Sequence, residues 1–511
     1  MDHNFKQIIS RMQQPNFYPH AVNENIELIQ THASLIFLTG DYAYKVKKNV
    51  DYGFLDYSTL DKRKYFIEAE LRLNKQIAPE LYLEVATINS EKQELTLNGL
   101  GKIIEYALKM RQFPQENLFS NLVKTGKLNQ NRFTELGRIV AQFHANTETS
   151  EYISSFGEAN KIQTAIDENY QQSRKYIGTV QTQEQFIATK AYSDHFFSER
   201  QDLFKIRSDR HKLKECHGDL HLKNICLWQD KIQLFDRIEF NESFRFVDTM
   251  YDVAFTVMDL EAREKPKFAN TFLNSYLEYS GDWEGLLVLP LYLSRQAYVR
   301  AKVNSFLLDD PQIDKTEKVK AKKAAEDYYR QAYGYTQSKS GSLVMMSGLS
   351  GSGKSTVAKS IARSKGAIQI RSDAVRKHLA GIALDESGSN SIYTSEMTQK
   401  TYNRLVKLGI MLVKEGYTII LDAKYDRLSL RQPVITKAQD LNVPLKIVYC
   451  TAPESVLRDR LNQRQNDLSD AGADLIESQT ANAEGFSDAE QKYVTTIDTS
   501  QANWQKKLNN I

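Results

Sequence analysis

The sequence predicts two domains: an α+β domain over residues 1–333, then an α/β domain with a parallel sheet over 343–511. Three observations carry this. At 511 residues the chain is too long for one ordinary hydrophobic core. GYTQSKSGS at 334–342 is a linker by composition, with Gly and Ser and no apolar periodicity. Beyond it, short apolar runs alternate with helix-period segments, the order that builds a parallel sheet covered by helices on both faces.

Composition sets outer bounds. Hydrophobic residues at 41% and aromatics at 10% are globular values. Lys plus Arg number 67 against 64 Asp plus Glu, a formal charge of +3, which gives no general nucleic-acid or membrane footprint. Cys216, Cys226 and Cys450 lack CxxC or CxxH spacing, which fits a reducing cytoplasm and neither a disulfide framework nor a zinc site. MDHNFKQIISRMQQ has no apolar core of a signal peptide. The longest apolar run, GLLVLPLYL at 285–293, is far short of the ~20 residues that span a bilayer. A cytoplasmic protein is expected; the oligomeric state is not encoded legibly.

In the first half, residues 34–48 alternate as strands do, and Thr39-Gly40-Asp41 breaks them into a hairpin. Asp61 to Ile77 has helix period and ends at Ala78-Pro79. Strand-like segments follow at 81–88, 94–97 and 102–110, then helical periodicity from about 130 to 205. HGDLHLKN (217–224) is a polar loop, followed by KIQLF as a short strand and by helix from about 246 to 333. The Lys-rich stretch KTEKVKAKKAAEDYYRQA reads as a solvated helix face. His144 and His221 read as packed or solvated residues, not metal ligands.

In the second half the strands are LVMMS (343–347), AIQIRS (367–372), TIILD (418–422), LKIVYC (445–450) and VTTID (494–498). Between the first strand and a helix lies Gly348-Leu349-Ser350-Gly351-Ser352-Gly353-Lys354-Ser355-Thr356, a full G-x-x-x-x-G-K-[ST] match in the required context. Glycines let backbone N–H groups curl around a β-phosphate, and the helix N-terminus adds its positive end. Lys354 should reach the β- and γ-phosphates and the Ser355 hydroxyl should bind Mg2+.

The segment Arg371-Ser-Asp373-Ala-Val-Arg376 resembles small P-loop kinases of the polynucleotide kinase and zeta-toxin type. That resemblance covers nearly all of 342–511. It implies that Asp373 meets an acceptor hydroxyl, Arg376 an acceptor anion, and Asp422, at the end of TIILD, Mg2+ or its water. Arg460 and Arg464, four apart on one helix face, match a lid whose arginines stabilise charge on the transferring phosphoryl group. Lys424 departs from the pattern by placing a cation near Asp422.

HGDLHLKN resembles the catalytic loop of the aminoglycoside phosphotransferase family, a branch of the protein-kinase-like fold with an H-G-D-x-x-x-x-N loop and a following strand that ends in Asp. The first domain is therefore expected to be protein-kinase-like and bilobal. The resemblance implies Asp219 as the base, and Asn224 and Asp236 as Mg2+ ligands. It implies Lys45 on the donor phosphates, with Lys47 a competing choice, and Glu70 as its helix partner, with Glu68 the alternative. KIIEYAL (102–108) resembles the hinge that holds adenine, with Glu105 to Ala107 as candidates. Asp248 and Asp252 resemble acids that anchor the catalytic loop. The departures are Gly40 as the single glycine of the hairpin and Arg237, not Phe-Gly, after Asp236.

Together these readings imply a fusion of two ATP- and Mg2+-dependent folds: a kinase with two nucleotide sites acting on a hydroxyl of an unidentified small molecule. Two other readings compete. One is a regulatory or sensor ATPase whose first domain binds ligand without turnover. The other is a 5′-hydroxyl nucleic-acid kinase, which the near-neutral charge disfavours.

Overall fold

The computed structural model describes residues 3–510 except 23, 93, 312, 387, 389 and 464–471. The first sheet is six-stranded and antiparallel: β1 (Glu27–Gln30), β2 (Ser34–Leu38), β3 (Tyr42–Lys47), β4 (Tyr82–Glu91), β5 (Glu94–Leu97) and β6 (Lys102–Arg111), in the order β1-β2-β3-β6-β4-β5. Alternation sorts β3 by face. Tyr44 and Val46 join a core with Phe5, Ile8, Met12, Phe37 and Ile88. Lys45 and Lys47 point the other way, and both reach the buried Glu70 of helix Leu60–Lys75. Thr59 caps that helix, accepting from the Lys62 N–H.

The polar loop lies between short two-stranded ladders. β7 (Leu213–Glu215) pairs with β10 (Phe246–Asp248), and β8 (Ile225–Trp228) pairs with β9 (Lys231–Leu234). The stretch 130–205 is not one helix. Its principal helices are Gln130–Asn146, Ala159–Ser173 and Gln183–Glu199, the last opened by a Thr182–Gln185 capping box. On the Lys-rich helix Lys315–Tyr335, Lys320 and Lys323 pair with Glu317 and Asp327 of the same helix.

The second sheet is parallel throughout: β11 (Ser342–Ser347), β12 (Ile368–Arg371), β13 (Thr418–Asp422), β14 (Leu445–Thr451) and β15 (Val494–Asp498), in the order β12-β13-β11-β14-β15. All five strands coincide with the expected apolar runs. Val344, Met346, Ile420, Val448 and Ile497 pack with Val357 and Ile361 of helix Lys354–Lys365. An α+β region built on an antiparallel sheet, followed by a P-loop α/β domain built on a parallel sheet, is thus the fold observed. Among the described residues no helix is long and apolar enough to cross a membrane.

Contacts divide the chain differently from its composition. One compact unit holds Met1–Asn129, Asn146–Ile162 and Phe204–Asp259; the other holds Gln130–Ala145, Gln163–Leu203 and Leu260–Ile511. Helix Lys315–Tyr335 runs into the Gly/Ser segment and β11 starts at Ser342, so the connection itself is 336–341.

Candidate functional sites

In the first unit, Lys45 Nζ lies 2.7 Å from Glu70 Oε1 and 2.8 Å from Asp236 Oδ1. Burial alone would lower the Lys45 pKa, but Asp236, Glu70 and Glu239 outweigh it and hold it well above its ordinary value. Lys47 also reaches Glu70, at 2.7 Å, and bonds to Glu239, whose Oε1 accepts from Tyr57 at 2.5 Å. Lys47 is 1% exposed, so it serves the buried network, whereas Lys45 faces Asp236. Glu68 is exposed. Of the two lysines, Lys45 is the one that spans Glu70 and Asp236.

Asp236 follows β9 in a left-handed conformation, φ +64°, and its N–H donates to Tyr82 Oη at 3.0 Å. Arg237, fully buried, donates from its N–H to Asn74 Oδ1 (2.8 Å) and from its guanidinium to the carbonyls of Leu73 (3.0 Å) and Glu215 (2.5 Å). The residue that departs from Phe-Gly is therefore a bolt between the end of the Glu70 helix and β7.

Asp219 and Asn224 meet across their loop. Asn224 Nδ2 donates to the Asp219 carbonyl at 2.9 Å and to its Oδ2 at 3.2 Å, leaving Asn224 Oδ1 as the atom suited to a cation. Asp252 accepts from the N–H groups of His217 (2.7 Å) and Gly218 (2.8 Å). Asp248 pairs instead with Arg207. Sequence reading missed Asp259, which accepts from Leu222 N–H at 3.0 Å, and Thr256, which donates to the Leu220 carbonyl at 2.7 Å. Their i, i+3/i+4 spacing after Asp252 was the available signal. His221 caps the turn Leu222–Asn224, and its Nε2 lies 3.3 Å from Asp219 Oδ2.

The hinge expectation needs correction. Residues 102–108 lie inside β6, where Glu105 to Ala107 pair with β4 and Ala107 also with β3. A segment inside a sheet strand is not a connection between lobes, and Ala107, laddered on both sides, has no backbone groups to spare for adenine. Glu105 is buried against Arg63 at 2.8 Å. The chain leaves the sheet only after Arg111. Gly40 sits in the β2–β3 turn, as the Thr39-Gly40-Asp41 break predicts; β1 and β2 are joined by 31–33.

In the second unit, Gly348, Gly351 and Gly353 have φ of +133°, +79° and +82°. A Cβ on Gly348 would stand 2.3 Å from the Cys450 carbonyl oxygen, so only glycine fits. Lys354 opens helix Lys354–Lys365 and donates to the Leu349 carbonyl at 2.7 Å. Burial lowers its pKa, with Asp422 and Asp373 among the charges that oppose this. Ser350 is clamped by Gln479, which accepts from its N–H at 3.0 Å and donates to its Oγ at 3.1 Å. Among the described residues Ser352 Oγ, which is buried, has no hydrogen-bond partner, an orphan inside the glycine-rich loop. Ser355 and Thr356 occupy the first turn.

Asp422 ends β13 and is 4% exposed; its Oδ2 accepts from Gln369 Nε2 at 2.7 Å. Lys424 turns to Asp426 at 3.0 Å. Asp373 lies in the first turn of helix Ser372–Ala380. Arg376, one turn on, is buried and donates to the Ile392 carbonyl (3.1 Å) and Thr398 Oγ1 (3.2 Å), so these bonds tie it to the segment that follows and not to an anion site. Arg460 donates to the Gly351 carbonyl (3.2 Å), Thr499 Oγ1 (2.8 Å) and the Thr499 carbonyl (2.9 Å), bracing the P-loop from behind. Arg464 lies outside the described residues.

The donor sets fit the expected groups. Ser355 with Asp422, and Asn224 with Asp236, offer the oxygen atoms a hard divalent cation takes, and the cradle around the orphaned Ser352 hydroxyl fits phosphate.

Residues 343–486 match the family described as AAA domain. Over 457 residues the chain is 26% identical to an uncharacterized protein of Mycobacterium tuberculosis (strain H37Rv), with 88% of each chain covered. A Mycobacterium bovis protein matches to the same extent. Among solved structures, a gluconokinase from Sinorhizobium meliloti 1021 is similar over 34% of this chain and 91% of its own, with 22% identity and TM-score 0.25. Amicoumacin kinase hAmiN, solved with AMP-PNP, Ca2+ and Ami, covers 64% of this chain and 94% of its own, at 13% identity and TM-score 0.39. A choline/ethanolamine kinase family protein from Mesorhizobium loti covers 65% and 99%, at 10% identity and TM-score 0.36.

Proposed function

We propose that the chain is a cytoplasmic ATP-dependent phosphotransferase with two nucleotide sites, acting on a hydroxyl group of a small molecule. The observation that carries the reading is the first site's constellation. Lys45 joins Glu70 to Asp236 while Asn224 holds Asp219, which places a cation, an amide oxygen and three carboxylates in one unit. A ligand-binding domain without turnover has no need of this set.

In the first site Asp219 orients the acceptor hydroxyl and takes its proton, and Lys45 neutralises the donor phosphates, held in place by Glu70. Asn224 and Asp236 would hold Mg2+. In the second site the backbone N–H groups of 348–354 and Lys354 receive the phosphates, and Ser355 and Asp422 would hold Mg2+. Asp373 faces the acceptor. Arg460 keeps Gly351 and Thr499 in place; Arg376 shapes the acceptor-side segment. When bound, Mg2+ spreads the negative charge of the β- and γ-phosphates, which lowers the barrier to transfer. Three free, buried cysteines suit a reducing compartment.

The test is label transfer from γ-labelled ATP to a pool of hydroxyl compounds, with nucleotide stoichiometry measured by calorimetry. The parent should bind two molecules of a non-hydrolysable ATP analogue and Lys354→Met one. Asp219→Ala should lower first-site transfer by about 10²–10⁴-fold while nucleotide still binds. Transfer at parental rates by both Asp219→Ala and Asp373→Ala proteins would refute the assignment.

A further inference from the structure

Asp422 is held from outside its own sheet. β12 is the edge strand, and its outward backbone groups meet helix Pro266–Ser280. Asn274 acts as a two-pronged clamp: its Oδ1 accepts from Gln369 N–H at 2.7 Å and its Nδ2 donates to the Ala367 carbonyl at 3.0 Å. Asn270 adds a second donor to the same carbonyl at 2.9 Å. One turn beyond Asn274, Glu278 Oε1 accepts from Arg371 at 3.2 Å. The Glu278 carbonyl also meets His378 Nε2 at 2.8 Å, which fastens the helix to Ser372–Ala380.

Both clamped residues of β12 turn inward to one atom. Gln369 Nε2 lies 2.7 Å from Asp422 Oδ2, and Arg371 Nε lies 4.0 Å from the same oxygen. Gln369, Arg371 and Asp422 are 7%, 8% and 4% exposed, so these polar groups have little water to fall back on. Among the described residues the side-chain contacts of the Asp422 carboxylate fall on Oδ2, which leaves Oδ1 as the oxygen able to take a cation.

We infer that Asn274 and Glu278 of helix Pro266–Ser280 are positioning residues for the P-loop site, setting the rotamer of Asp422 through Gln369 and Arg371. The inference rests on the reading of Asp422 as a Mg2+-holding residue. Asn274 fixes where Gln369 stands; Glu278 shares the Arg371 charge, which would otherwise be drawn to Asp422 and compete with the metal. Partners that orient a metal-holding carboxylate typically change metal affinity by 10–100-fold when removed.

The experiment uses the full chain carrying Asp236→Asn, which silences the other candidate metal site. Mn2+ binding is followed by electron paramagnetic resonance in the presence of a non-hydrolysable ATP analogue, and analogue binding is measured again without metal. Asn274→Ala and Glu278→Gln should each weaken Mn2+ about tenfold or more, with metal-free analogue affinity within about twofold of the parent. Glu278→Gln is nearly isosteric, so it answers the question even where Asn274→Ala undocks the helix. Parental Mn2+ affinity in Glu278→Gln, or equal losses of Mn2+ and metal-free analogue binding, would overturn the inference. Asp422→Asn separates the two layers: if it binds Mn2+ as the parent does, the reading of Asp422 fails and not the clamp.

Discussion

His217 shows how one side chain's surroundings fix its protonation. Its Nε2 lies 2.8 Å from the Phe235 carbonyl and must carry the proton; its Nδ1 lies 3.3 Å from the Asp219 N–H and must be bare. Burial lowers its pKa below the ordinary 6.5, with Asp252 and Asp219 opposing and Arg237 assisting. The unfolded chain therefore binds a proton near pH 6.5 that the folded chain refuses. The stability this confers is present above pH 6.5 and lost as the pH falls through and below it. His217→Gln should lose less stability than the parent between about pH 7 and about pH 5, in urea denaturation at each pH. Parallel losses would show that His217 does not titrate against folding. At this scale Asp219, Asn224, Asp236, Lys45 and Glu70 were legible, because a five-residue loop spacing and a strand-end acid are local patterns. The buried Lys47–Glu239–Tyr57 network was not, since its members lie up to 192 residues apart and only packing joins them.

Among elements, the loop proposed to be catalytic depends on one turn. Gly218 has φ +86°, and a Cβ there would lie 2.5 Å from the Phe244 carbonyl oxygen. Gly218→Ala adds a clash with backbone to a left-handed conformation that alanine resists, so it should destabilise the first unit by about 1–3 kcal/mol. It should also slow first-site transfer more than it weakens nucleotide binding, because the displaced residue neighbours Asp219. Denaturant unfolding and steady-state kinetics would check both, and an unchanged kcat would remove the claim that this turn aims the loop. Strands of four or more residues with apolar alternation were legible in both sheets. β7 and β10, three residues each, carry too few positions for a period. The hinge was misplaced because KIIEYAL has a strand's pattern, and the strand runs on to Arg111 before the chain leaves the sheet.

At the scale of the molecule, a Gly/Ser segment marks where the chain bends easily, not which helices belong with which sheet. We propose that the structural boundary before the P-loop sheet lies near residue 260, not at 334. Helix Pro266–Ser280 covers the β12 edge through Asn270 and Asn274, Glu284 pairs with Arg404, and Tyr417 donates to the Leu286 carbonyl at 3.0 Å. Trp283 packs edge-on against His378. A fragment starting at 343 would bare an edge strand with unpaired backbone groups, a template for association. The three hydrogen bonds to the β12-edge backbone alone, from Asn270 and Asn274 to Ala367 and from Gln369 N–H to Asn274, at about 1 kcal/mol each, give about 3 kcal/mol. In a piece of this size that lowers the melting midpoint by roughly 6–12 °C. The fragment 343–511 should therefore melt below a fragment 260–511 by that amount and show higher-order species on gel filtration. Equal midpoints with both fragments monomeric would return the boundary to the linker. The comparison also bears on Asp422. In the short fragment Gln369 and Arg371 lose Asn274 and Glu278, so metal-dependent nucleotide binding should suffer more than metal-free binding, a loss that simple instability does not produce.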